Sequence, residues 1–218
     1  MRNTVIPTVE VPSNFRQYPI SPYTDKAELD ITTTLAMGFE CPRVLEIGTN
    51  QGITTTRIAE VVGPLGGQVW TVDVGEHPME MSHQQLGECY PEGGSGSAIP
   101  EGFIDDEWVC HFTFNPNTEN IGSVLLALDP SPFHIIFLDG DHGYVGTRSA
   151  WEATQGHLAA GGVMLFHDVW WDRMDFPQGP SEVLEEIAQQ SEDYATTINM
   201  THMGTLGRYV DNIRGEKT

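Results

Sequence analysis

The sequence predicts an α/β protein with a mostly parallel, seven-stranded sheet flanked by helices. Three observations lead there. Compact apolar runs such as Val44-Leu45-Glu46-Ile47 and Phe133-His134-Ile135-Ile136-Phe137-Leu138 are too short for helices and are closed by glycine or a Gly-containing turn. Between most of them lie segments with helical periodicity, and strands alternating with helices call for parallel crossovers. Finally, 218 residues with 39% hydrophobic content suffice for one domain with a sizeable core.

In chain order, residues 1–22 carry Pro7, Pro12, Pro19 and Pro22 and read as an extended arm. Residues 24–37 read as a helix with Asp25 and Glu28 near its start, where carboxylates complement the helix dipole. These segments form an N-terminal arm and helix over 1–40; residues 41–218 form a single domain. Its first strand is 44–47, followed by a helix over 52–62 that stops at Gly63-Pro64, and by a second strand over 68–74. Residues 76–107 hold eight carboxylates, no Lys or Arg, and the run Gly93-Gly94-Ser95-Gly96-Ser97. They read as an acidic insertion or lid (about 76–108), helical in its first half, with a mobile tip near Ser95. A strand follows at 109–114, a helix at 121–128 ended by Asp129-Pro130, and a strand at 133–139. A helix over 144–158, a turn at Gly161-Gly162, and a strand over 162–168 come next. The chain closes with a helix over 181–190, capped by Ser181, and a strand pair at 196–200 and 206–211.

Charge narrows the partners. The formal net charge is −21, and no Lys or Arg occurs between Arg57 and Arg148. Such a surface repels phosphate backbones and anionic lipid heads, which excludes nucleic acid and membrane surfaces as partners and favours cations or neutral small molecules. Residues 1–20 contain no apolar h-region, and runs such as 124–128 fall far short of the ~20 residues that span a bilayer. Cys41, Cys89 and Cys110 are odd in number and lack metal-ligand spacing. A soluble, cytoplasmic protein is expected, and the acidity also suits a saline habitat.

Chemistry concentrates at strand ends. The first motif, Glu46-Ile47-Gly48-Thr49-Asn50-Gln51-Gly52, joins a strand to a helix. Glycines there let a ligand approach backbone N–H groups at the positive end of the helix. Asp73, at the end of the next strand, can accept hydrogen bonds from ribose hydroxyls; an ordinary strand-to-helix turn would use the same glycines. The spacing is Glu-x-Gly-x-x-x-Gly and not the GxGxxG of nicotinamide sites. It resembles motif I of the class I S-adenosylmethionine-dependent methyltransferases, and the resemblance runs in order over about residues 40–170. It implies a Rossmann-like class I methyltransferase fold, with S-adenosyl-L-methionine bound by Glu46, Gly48, Thr49, Asn50, Gly52, Thr54, Asp73, Asp139 and Asp141.

Two further motifs are Asp139-Gly140-Asp141-His142-Gly143-Tyr144 and His167-Asp168-Val169-Trp170-Trp171. If their strands are neighbours, Asp139, Asp141, His142, His167 and Asp168 converge, and such a cluster repels itself unless a cation or shared protons compensate. Oxygen donors favour Mg²⁺ or Mn²⁺, and added imidazoles widen the choice to Zn, Fe or Ni. The pair resembles the metal-dependent O-methyltransferases, notably the macrocin-type antibiotic-sugar enzymes and more distantly the catechol and caffeoyl-CoA types. That resemblance implies a divalent cation, Mg²⁺ first, at Asp139, His167 and Asp168, with His142 as general base. His167 stands where those families carry Asp or Glu. A broader methyltransferase group shares the Asp-Gly-Asp-His-x-Tyr stretch and the His-Asp pair, and membership there would not establish a metal.

The implied function is O-methylation of a small-molecule hydroxyl on a sugar, glycoside or catechol-like acceptor, assisted by a divalent cation. Methyl transfer is an in-line displacement that needs an aligned, deprotonated oxygen. A cation lowers the hydroxyl pKa, and His142 can take the proton. Alternatives are a catalytically silent cofactor-binding partner subunit and a metal-independent methyltransferase, in which His142 bonds a backbone carbonyl and the carboxylate–histidine pairing is structural. His77, His83 and His111 form a weaker second metal candidate, Trp170 and Trp171 a wall for the acceptor, and the arm can reach across a homo-oligomer.

Overall fold

The computed structural model describes residues 26–74, 95–114, 120–127, 132–169, 178–190, 194–198 and 204–208. The N-terminal arm, His77, His83, Trp170, Trp171 and the first half of the acidic insertion lie outside them.

Seven strands form one sheet: β1 (Arg43–Ile47), β2 (Gln68–Val74), β3 (Val109–Phe114), β4 (Phe133–Leu138), β5 (Leu158–Phe166), β6 (Tyr194–Ile198) and β7 (Gly204–Arg208). Their order is β3-β2-β1-β4-β5-β7-β6. Strands β1 to β5 pair in parallel, while β7 runs antiparallel to both β5 and β6. The chain moves outward from β1 through β2 to β3, then crosses back to β4. The order therefore reverses between β1 and β4, and in open α/β sheets the crevice outside the strand ends at such a reversal is where ligands bind.

The described helices are α1 (Lys26–Ala36), α2 (Ile53–Val62), α3 (Glu101–Asp105), α4 (Ile121–Ala127), α5 (Tyr144–Thr154) and α6 (Gly179–Gln190). Side chains alternate across the sheet. On one face Leu45, Ile47, Ile136, Leu138, Met164 and Phe166 pack with Trp151 of α5 and Leu184 of α6. On the other Val44, Ile135, Phe137 and Leu165 pack with Ile58 and Val62 of α2 and Ala36 of α1. Phe133, Phe137 and Phe166 are fully buried, each contributing about 2–3 kcal/mol of hydrophobic stabilisation. This alternation decides the site: Glu46 shares the parity of Val44, and His167 continues that of Leu165, so both point toward the layer of α1 and α2. None of the described helices is long and apolar enough to cross a membrane.

Four features differ from expectation. The helix expected over 144–158 gives way at Gln155–His157 to a 3₁₀ turn, and β5 begins at Leu158. Gly161 (φ 78°) lies inside β5, where the pairing to β4 shifts register. An irregularity that turn residues announced thus interrupts a strand without ending it. Helix α6 starts at Gly179-Pro180, so Ser181 is buried in its first turn and is not its cap; proline suits the first helical position because its missing N–H is unneeded there. The closing strand pair starts two residues earlier on each strand than the pattern indicated.

Candidate active site

The turn after β1 is wound tightly by positive φ values at Gly48 (104°), Asn50 (48°) and Gly52 (88°). Gly48 donates its N–H to Val72 O at 2.8 Å and Gly52 donates to Thr49 O at 2.8 Å. Asn50 N–H donates to Oδ2 of Asp73 at 2.7 Å, and Val74 N–H to Oδ1 at 2.7 Å. Asp73 thus ties the β1 turn to the end of β2. Oδ1 of Asn50 is buried and has no hydrogen-bond partner among the described residues.

Beneath the turn lies a buried polar network. Thr55 of α2 and Thr71 of β2 both donate hydroxyl hydrogens to Oε2 of Glu46. The hydroxyl of Thr71 also lies 2.6 Å from that of Thr49. Burial raises the Glu46 pKa to about 8, only partly offset by those hydroxyls, so this carboxyl is mostly protonated at neutral pH. Oε2 of Glu46 and the Thr49 hydroxyl thus brace the turn from below. Thr54 is buried in the first turn of α2.

The end of the acidic insertion docks on the same turn. Gly96 N–H donates to Asn50 O at 2.7 Å and Ala98 N–H to Gln51 O at 2.8 Å. The Ser95 hydroxyl sits 3.2 Å from Oδ2 of Asp73 and 3.0 Å from Nε2 of His111. Expected as a mobile tip, the 95–99 stretch instead lies against the crevice rim. His111 belongs to this contact; burial lowers its pKa, with the Asp73 charge countering.

At the ends of β4 and β5, Asp139, His142, His167 and Asp168 present ligand atoms within 4.8 Å of one another. Nδ1 of His167 lies 2.9 Å from Oδ1 of Asp139 and 3.2 Å from Oδ2 of Asp168. Nε2 of His142 lies 3.5 Å and 3.3 Å from those same oxygens. Asp168 holds φ 53°, a left-handed conformation that aims its carboxylate back at the cluster. Asp139 N–H donates to Ile47 O at 2.8 Å, and His167 N–H to Leu138 O at 3.0 Å, which zips the three strand ends together.

Burial works against a charged His167, but Asp139, Asp168 and Glu28 outweigh it and push the pKa up to about 12. Burial likewise opposes the charged form of His142, and Asp139 and Asp168 raise its pKa above the ordinary value.

Two residues stand apart from expectation. Asp141 is exposed, and its Oδ1 accepts the Gly143 N–H at 2.7 Å while its backbone carbonyl accepts the Thr147 hydroxyl at 2.9 Å. It therefore closes a tight turn just before α5 and stands outside the four-residue cluster. Glu28, read from sequence only as a dipole complement, is 3% exposed and reaches His167. No local pattern marks it, because the two residues are 139 positions apart.

A methyltransferase-domain family profile matches residues 45–169. The chain belongs to this methyltransferase family. The match runs from β1 to the end of the His167-Asp168 loop, so it takes in the turn and the four-residue cluster and leaves out α1. The sequence has no match among curated proteins. Among solved structures, a cofactor-bound protein from MTB is 19% identical, with a TM-score of 0.60 over 86% of this chain and 82% of that one. The O-methyltransferase TomG from Streptomyces achromogenes, in complex with SAM, is 17% identical, with a TM-score of 0.56 over 86% and 81%. CalS11, a TDP-rhamnose 3′-O-methyltransferase of calicheamicin biosynthesis, is 13% identical, with a TM-score of 0.59 over 85% and 79%. These likenesses show a shared fold.

In this methyltransferase the donors suit a divalent cation. Two carboxylate oxygens and two imidazole nitrogens lie within 4.8 Å of one another, and buried Nδ1 of His167 lies near both oxygens without an aligned hydrogen bond to either. Ligands aimed at a shared centre have that arrangement. The turn suits a nucleoside cofactor for a separate reason: it leads into the N-terminus of α2, and the carboxylate of Asp73 stands beside it.

Proposed function

We propose that the protein is an S-adenosylmethionine-dependent O-methyltransferase acting on a small-molecule hydroxyl, with a divalent cation held by Asp139, His167 and Asp168. The observation that carries this reading is the convergence of Asp139, His142, His167 and Asp168 beside the Gly48 turn. Two structural neighbours, the O-methyltransferase TomG in complex with SAM and the TDP-rhamnose 3′-O-methyltransferase CalS11, support the cofactor and a sugar or glycoside acceptor. A catechol-like acceptor presents the same pair of oxygens.

When bound, the cofactor supplies an electrophilic methyl on sulfur, and the cation lowers the pKa of the acceptor hydroxyl. The chain's own residues do the rest. The Gly48–Gly52 turn and Asp73 hold the nucleoside end, and Asp139 joins the two halves because its backbone packs against Gly48. His142, at the rim of the cluster, accepts the hydroxyl proton as the oxygen attacks the methyl carbon. Attack at that carbon would leave the carbon–sulfur electron pair on the departing thioether.

A second reading is favoured by one observation. A protonated His167 beside Glu28, Asp139 and Asp168 offsets part of the cluster's negative charge without any metal, as a metal-independent methyltransferase would need. The test is calorimetry with S-adenosylhomocysteine, followed by methyl transfer to catechol and sugar-nucleotide acceptors with Mg²⁺ and with chelator. Cofactor binding with chelator-sensitive transfer supports the first reading, and chelator-resistant transfer selects the second. Absence of S-adenosylhomocysteine binding overturns both. The variant His142→Ala is expected to lower kcat roughly 100- to 10,000-fold with cofactor affinity unchanged.

A further inference from the structure

We propose that Glu28 is a positioning residue of the cation site, acting through His167 from a helix that lies outside the matched family segment. The inference rests on the metal-assisted reading above.

Oε2 of Glu28 lies 3.0 Å from Nε2 of His167, and each side chain is only 4% exposed. A carboxylate so deeply buried is costly unless bonded, which makes its placement opposite the imidazole a strong constraint. With a carboxylate oxygen as its acceptor, Nε2 keeps its hydrogen when His167 gives up a proton to a cation, so Glu28 favours the neutral tautomer protonated there. The lone pair then falls on Nδ1, the nitrogen that faces Asp139 at 2.9 Å and Asp168 at 3.2 Å. A hydrogen bond to the far nitrogen also makes the near one a stronger donor to a metal.

The ring plane is set as well. Phe137 meets His167 edge to face, with centroids 5.8 Å apart and planes at 79°, while Glu28 holds the distal nitrogen. Both contacts come from the α1 side of the sheet, as strand parity requires: Phe137 and Leu165 face α1 and α2. The first turn of α1 is itself braced, since the Thr32 hydroxyl donates to the Glu28 carbonyl at 2.8 Å. Helix α1 thereby becomes part of the site, although the family match begins after it.

The experiment measures Mn²⁺ binding by calorimetry to the full chain and to Glu28→Ala, Glu28→Gln, His167→Ala and the double variant Glu28→Ala/His167→Ala. S-adenosylhomocysteine affinity and melting temperature are recorded for each. The expected result is a roughly 10- to 100-fold weaker Mn²⁺ affinity in Glu28→Ala, with S-adenosylhomocysteine affinity retained. Glu28→Gln should recover most of the loss, because its amide oxygen accepts the same N–H. The double variant should bind no more weakly than His167→Ala alone, since the two residues act as a unit. Where alanine leaves the protein unfolded, Glu28→Leu fills the volume without an acceptor and takes its place. Equal Mn²⁺ affinity in wild type and Glu28→Ala, or additive losses in the double variant, overturns the role of Glu28 alone. Absence of Mn²⁺ binding to the wild type overturns the metal reading and this inference with it.

Discussion

Gly48 and Asp139 meet through their backbones: a Cβ built on Gly48 falls 2.1 Å from the carbonyl oxygen of Asp139. The turn after β1 and the strand end that carries the carboxylate cluster are therefore in direct contact. Alanine at position 48 must displace one of them, and it must also adopt φ 104°, where L residues are strained. Gly48→Ala is expected to destabilise the protein by roughly 2 kcal/mol or more and to weaken S-adenosylhomocysteine binding. Gly102→Ala, in α3 with no heavy atom within 4 Å of its Cβ position, is expected to be neutral or slightly stabilising. Thermal melts and calorimetry on the two variants provide the comparison.

The buried Glu46 carboxyl predicts a pH dependence of stability. Its folded pKa of about 8 lies above the ordinary 4.5, chiefly because burial disfavours the ionised form. Between those values the unfolded chain has released the proton while the folded chain retains it, so stability falls as pH rises through that window. The effect is on the order of a few kcal/mol across the whole interval. His167, with its folded pKa near 12, acts in the same direction at higher pH. Glu46→Gln removes only the first contribution. Urea unfolding in chelator at pH 5 and pH 8 should therefore show a shallower decline in Glu46→Gln than in wild type, and equal slopes would mean that Glu46 is ionised in the fold.

Much of this site was legible in sequence because its residues lie at strand ends, where a glycine or an acidic pair interrupts an apolar run. Gly48, Asp73, Asp139, His142, His167 and Asp168 are all of that kind, and neighbouring parallel strands bring them together. Glu28 was not legible, because a carboxylate near a helix start has a sufficient local explanation and its partner is 139 residues away. Asp141 misled for the converse reason: it sits inside the motif, yet its carboxylate serves the N–H of Gly143. Glu46 fits the motif by position, and strand parity brings its Oε2 to the hydroxyl of Thr55, a contact the motif alone does not announce. Ser95 read as a flexible tip by composition, and only its contacts with Asp73 and His111 place it.

Asp73 and Ser95 should separate anchoring from ligand binding. Asp73 accepts N–H groups from Asn50 and Val74, each at 2.7 Å, so its removal loosens the turn as well as deleting a ribose partner. Ser95 contributes a single longer contact of 3.2 Å to the same carboxylate. Asp73→Ala is expected to weaken S-adenosylhomocysteine binding by more than about tenfold and to lower the melting temperature, as the loss of hydrogen bonds to a charged group implies. Ser95→Ala should change affinity by no more than about threefold, in line with one neutral hydrogen bond. A loss in Ser95→Ala as large as in Asp73→Ala would instead make the docked 95–99 stretch part of the cofactor site. Isothermal titration of both variants is the measurement.

Cation binding should release protons. In the cation-free protein the nearby carboxylates outweigh burial and hold His167 protonated, with a pKa of about 12, and only the neutral imidazole can donate Nδ1 to a metal. Near neutral pH each cation bound must therefore displace close to one proton from His167, and His142, whose pKa is also raised, adds a further fraction if it loses its carboxylate partners. The sign follows: apparent affinity rises as pH rises, because protons and the cation compete for one nitrogen. Calorimetry of Mn²⁺ binding in buffers of different ionisation enthalpy counts the protons released. The melting temperature should rise with Mn²⁺, by an amount equivalent to about 2.7 kcal/mol at a hundred times the dissociation constant. Asp168→Ala, which removes an oxygen 3.2 Å from Nδ1 of His167, should abolish that rise. Mn²⁺ binding with no proton release would show that His167 is not a ligand and that the cation sits on the carboxylates alone.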